Sequence, residues 1–172
     1  GIIEVGSSRK VSLVSVDTIR TDSNSELVDR IGHIGSAIEH LIVTSKPNAI
    51  AIERIFSQQN LRSVMGVAQI SGVVLLLAHR HNIPVYLHTP SEVKAAVTGS
   101  GRANKEQVGK MVANILGLKE VPKPADAADS LAIAICHAWR SAAGTVAGAK
   151  ALTPAQKAWQ TAEQVATASK RR

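Results

Sequence analysis

The sequence predicts a mixed α/β fold, a sheet covered by helices, and three observations carry that expectation. Short runs of branched apolar residues at 49–53 and 83–88 have the length and continuity of buried strands. The longer stretches around them repeat their apolar residues at helical spacing. The chain opens, moreover, on two strand-like runs joined by a turn-rich spacer, so a hairpin precedes the alternation of helix and strand.

Taken in order, residues 1–5 and 10–20 flank Gly6-Ser7-Ser8-Arg9 and form the expected antiparallel hairpin. The first residue is Gly1 rather than a methionine, and it already lies within a strand-like run, so the chain reads as a fragment without its true beginning. Between residues 25 and 44, Leu27, Ile31, Ile34, Ile38 and Leu41 make one stripe of an amphipathic helix. His33 and His40 share a face of that helix and read as solvent-facing rather than as metal ligands. The strand at 49–53 follows, bounded upstream by Pro47-Asn48.

A second helix, about 60–80, is apolar nearly all round, from Leu61 and Val64 to Leu75, Leu76 and Leu77. Such a helix needs cover on more than one side, and a second subunit is one source of it. Gly66 and Gly72 would allow a close approach there. After the strand at 83–88, Thr89-Pro90-Ser91-Glu92 has capping-box spacing with proline at the first helical position. That short helix carries Lys94 and stops at Gly99-Ser100-Gly101. Asn104-Lys105-Glu106-Gln107 opens another helix, to about Leu116. Pro124 pre-sets a last helix start, ahead of an Ala-rich run.

The composition bounds the rest. At 172 residues and 45% hydrophobic content there is one domain with a sizeable core and no stretch long enough for a membrane span. One cysteine, Cys136, excludes an internal disulfide and a Cys-rich zinc site; its apolar neighbours make it a small core residue. A reducing, cytoplasmic setting fits. The formal charge of +7 points to a polyanionic partner, but residues 141–172 hold five basic residues against Glu163 alone, leaving +3 for the body. The domain is therefore set at 1–140, and 141–172 is read as a basic, Ala/Thr-rich, mostly disordered tail.

Two stretches carry chemistry. The 49–53 strand delivers Glu53 to its carboxyl end, where reactive groups of open α/β sheets gather. Downstream, Asp126 and Asp129 stand at i and i+3 on one side of a helix start. Acids in a first turn complement the helix dipole by about 0.3–1 kcal/mol without any function, and Glu53 could simply pair with Arg54. If the small-residue helix lies by the end of the 49–53 strand, however, the three carboxylates converge and call for a cation. Hard oxygen donors suit Mg²⁺ or Mn²⁺, and two such ions about 4 Å apart can activate water and stabilise the leaving oxygen of a phosphodiester.

Ala51-Ile52-Glu53-Arg54-Ile55-Phe56-Ser57-Gln58-Gln59-Asn60, His88-Thr89-Pro90-Ser91-Glu92-Val93-Lys94 and the run from Asp126 to Ile135 together resemble the RuvC family of bacterial Holliday junction resolvases. The resemblance extends in order to about Arg140. It implies a ribonuclease H-like fold, a homodimer, and Mg²⁺-dependent nicking of four-way junction DNA in recombination and repair, with RuvA and RuvB as branch-migration partners. It implies that Glu53, Asp126 and Asp129 are catalytic acids holding two Mg²⁺ ions, for which Mn²⁺ can substitute. It further implies that Phe56 meets bases near the junction centre and that Lys94 and Lys105 lie near the cut strand. The family pattern also has an Asp-Pro-Gly on a first, central strand; these 172 residues contain none, so the chain is expected to lack that strand and to be inactive as it stands. The residues themselves leave two other readings open, a non-catalytic module that binds branched DNA and a ribonuclease H-like nuclease acting on RNA.

Overall fold

The computed structural model describes residues 1–54 and 61–146. Within it, Gly1–Arg140 forms one compact unit. Strands β1 (Ile2–Val5) and β2 (Val11–Ser15) pair antiparallel, with a register irregularity between Ile2 and Ile3. Their turn closes through Gly6 N–H to the Lys10 carbonyl at 2.8 Å and Arg9 N–H to the Gly6 carbonyl at 3.0 Å. The second strand ends five residues before the expected Arg20. Past Ser15 the Asp17 carboxylate takes the Thr18 N–H at 2.7 Å, a local bond that competes with ladder pairing.

Helix α1 (Leu27–Ser45) follows, and its inward stripe runs differently at the ends from the sequence pattern. Ile31, Ile34 and Ile38 are half-buried and Ile42 is buried, whereas Leu27 and Leu41 face outward. Over four turns the 3.6-residue period favours position 42 over 41. Strand β3 (Ile50–Glu53) comes next, then helix α2 (Leu61–Arg80) and strand β4 (Val85–His88). Helices α1 and α2 meet closely at Gly35, where an added Cβ would lie 3.2 Å from Val73.

Strands β3 and β4 pair parallel, with Glu53 opposite His88. The expected single sheet is thus divided into two two-stranded ladders, β1–β2 and β3–β4. One edge each of β1 and β3 has no ladder partner among the described residues. Two-stranded ladders are marginal alone, and here helices hold them.

Both predicted capping boxes form. Helix α3 (Pro90–Thr98) is capped by Thr89, whose hydroxyl accepts the Glu92 N–H at 3.2 Å while the Glu92 carboxylate accepts the Thr89 N–H at 2.8 Å. Helix α4 (Lys105–Leu116) repeats this with Asn104 and Gln107, at 2.9 Å both ways. Helix α5 (Ala125–Val146) runs past the boundary set at Arg140. Residues 147–172, most of the tail read as disordered, lie outside the described residues.

The main core joins Val11 of β2 to Val93 and Val97 of α3, Val108 and Val112 of α4, and Leu131, Ile135 and Cys136 of α5. Cys136 is fully buried, as its apolar neighbours predict, with its thiol directed at the Glu92 carbonyl at 3.7 Å. Helix α2 buries Val74, Leu77 and Ala78 but leaves Met65, Val67, Leu75 and Leu76 exposed.

Candidate active site

Glu53 sits at the carboxyl end of β3 because the apolar run before it forms a strand, and a strand alternates its side chains until it ends. The ladder is held there by Ile50 N–H to the Pro84 carbonyl at 2.9 Å and Arg54 N–H to the His88 carbonyl at 2.7 Å. Asp126 and Asp129 lie in the first turns of α5, whose small Ala127, Ala128 and Ala132 are buried and let the helix pack tightly. The start of β1 lies against the same turns, since a Cβ on Gly1 would fall 2.9 Å from the Ser130 hydroxyl.

The expected convergence occurs in part. The carboxylate of Glu53 is held above its ordinary range, chiefly by desolvation and then by the charge of Asp129, against the opposing charges of Lys105 and Lys94. Glu53 is open to solvent on one side, so the desolvation comes from protein packed behind it. Lys105, first residue of α4, places its Nζ 3.2 Å from Asp129 Oδ2. That bond first, and then the charges of Asp129, Asp126 and Glu53, raise the ammonium's proton affinity. All three acids thus lie in electrostatic range of one lysine.

They do not close on one another, however. Among the described residues, no three His, Cys, Asp or Glu side chains stand close enough together to hold an ion. The donors are nonetheless the right kind for a hard divalent cation, and the raised proton affinity of Glu53 marks negative charge that such a cation would relieve. Lys94 is half-buried on α3 and faces Glu53. Phe56, the expected base-contacting aromatic, lies outside the described residues.

One cluster beside the acids was not expected. The imidazoles of His88 and His137 approach to 3.4 Å, and the ring of Tyr86 stacks on His137 with centroids 4.2 Å apart. Arg140 reaches Glu92 at 3.1 Å from the same helix. These contacts fix β4 and the start of α3 against α5. The available signal was His137, eleven positions after Asp126 and so on nearly the same helix face.

The paired ladders, their helices and an acidic cluster at a strand end and a helix start define a ribonuclease H-like α/β protein. The sequence model of Crossover junction endodeoxyribonuclease RuvC matches residues 1–137. The chain belongs to the RuvC family. Among its relatives, Crossover junction endodeoxyribonuclease RuvC of Leifsonia xyli is 52% identical across 95% of this chain and 85% of its own. The Paenarthrobacter aurescens protein of the same name is also 52% identical, across 95% and 87%. The solved structure of Thermus thermophilus RuvC superposes with a TM-score of 0.75 at 35% identity, covering 84% of this chain and 87% of that one. T. thermophilus RuvC in complex with Holliday junction substrate gives 0.77 at 36% identity, covering 83% and 87%.

Proposed function

We propose that this chain is the nuclease body of a crossover junction endodeoxyribonuclease, which resolves four-way DNA junctions by cutting phosphodiester bonds. The observation that carries the reading is the arrangement of Glu53, Asp126 and Asp129 around Lys105 in a chain of this family. Glu53, Asp126 and Asp129 would hold Mg²⁺, or Mn²⁺ in its place. Bound there as a pair, such ions would supply an activated water and charge stabilisation for the leaving oxygen. Lys94 and Lys105, on helices fixed by their capping boxes, serve to bind and orient the cut strand through its phosphates. Phe56 is the proposed contact with unstacked bases.

The uncovered face of α2 supports a homodimer. Met65, Val67, Leu75 and Leu76 are exposed, and a Cβ added at Gly66 or Gly72 would meet nothing within 4 Å among the described residues. Two copies would present two acidic clefts to a symmetric junction. Among the described residues no helix is long and apolar enough to cross a membrane. Family membership supports a cytoplasmic role beside RuvA and RuvB.

The test compares a labelled four-way junction with linear duplex and with an RNA–DNA hybrid of equal length. Selective junction binding is expected; equal affinity for all three would overturn the reading. No Asp-Pro-Gly occurs in the 172 residues, so scission is expected once an in-frame strand bearing one is joined ahead of Gly1. In that protein Glu53→Gln should abolish Mg²⁺-dependent nicking while junction binding persists.

A further inference from the structure

We infer that Lys105 is a resident counter-cation of the acidic cleft, one that a divalent ion must displace from Asp129 in order to bind. The inference rests on the proposed metal-binding role of Glu53, Asp126 and Asp129. Its ground is the observed ion pair together with the lack of a closed acid cage among the described residues. Asp129 is the acid that Lys105 touches, at 3.2 Å, and Glu53 and Asp126 feel the same ammonium. A carboxylate oxygen donating its lone pair to an ammonium is not available in the same geometry to a metal. A dication arriving beside an unmoved ammonium would also be repelled by it.

The lysine is built to leave. Its side chain is 71% exposed, so water can take over its solvation. The backbone beneath it does not move with it, because the Asn104–Gln107 capping box fixes the start of α4. Lys105 therefore swings on its own four-carbon stem about a fixed anchor. Once released from Asp129, its ammonium is a free cation at the mouth of the cleft, next to where an anionic strand would lie. The same residue balances the acids before metal binding and meets phosphate afterwards.

The experiment is a titration of Mn²⁺ into the 172-residue protein, read as free Mn²⁺ by electron paramagnetic resonance. It is run on the unaltered chain and on Lys105→Gln, Lys105→Arg and Asp129→Asn, with thermal melts to confirm folding. Lys105→Gln is expected to bind Mn²⁺ about three- to fivefold more tightly, the size of an exposed ion pair. Lys105→Arg, which keeps a cation on Asp129, should stay near the unaltered chain. In an Asp129→Asn background, Lys105→Gln should have a smaller effect than in the unaltered chain. Equal or weaker binding by Lys105→Gln would overturn the inference while leaving the metal site standing. Absence of any Asp129-dependent Mn²⁺ binding would overturn the metal site itself, and the inference with it.

Discussion

Among single residues, the acids and the histidines behave in opposite ways. Glu53, Asp126 and Asp129 were legible because each sits where a local pattern ends, at a strand terminus or in a helix's first turn. His88 and His137 were not, since their contact joins residues 49 apart and exists only once β4 lies on α5. Desolvation, and for His137 also the charge of His88, holds both imidazoles below the ordinary 6.5. The unfolded chain therefore binds protons that the folded one refuses. Their stabilising contribution is complete above that value and is lost as pH falls through 6.5 and on through the lowered values. Thermal melts between pH 8 and pH 5 should show the melting temperature falling, with a shallower fall in His137→Phe, which keeps a ring on Tyr86. Identical slopes would remove the histidines from the account.

At the level of elements, the helix caps are what a reader of sequence can trust, and sheet pairing is not. Each capping box spans four residues and depends on nothing further away, so Thr89–Glu92 and Asn104–Gln107 formed as written. Thr89→Ala should lower stability by about 1 kcal/mol, seen as a melting temperature about 2–4 °C lower. It should also weaken junction binding, because α3 carries Lys94. Unchanged stability would mean that Arg140, through its bond to Glu92, holds the helix start unaided. The end of β2 was misjudged because Val14, Val16 and Ile19 prolong a strand-like pattern, while the Asp17–Thr18 bond that breaks it is a matter of one side chain's rotamer. The last turn of α1 was misjudged for a geometric reason, since a stripe counted in steps of three and four ends on Leu41, whereas the 3.6-residue period over four turns favours its neighbour Ile42, which is the one buried.

At the scale of the whole molecule, burial among the described residues is gathered in two places. One is the core shared by β2, α3, α4 and α5; the other is Ile42 of α1 with Val74, Leu77 and Ala78 of α2. Between them, the contacts of Tyr86 and His88 with His137 form a bridge. Backbone amides in α4 and α5, such as those of Val112 and Ile135, should therefore exchange with deuterium more slowly than those of α1 and β3. Uniform rates across both groups would show a single cooperative unit instead.

That division has a consequence for the cleft. Glu53 rides on β3, on one side of the seam, while Asp126, Asp129 and Lys105 ride on α5 and α4, on the other. The acidic cluster is thus assembled from elements of both buried regions within one compact unit. A change in how those regions pack, across the stacked rings of Tyr86 and His137, would therefore move Glu53 relative to Asp129 and Lys105.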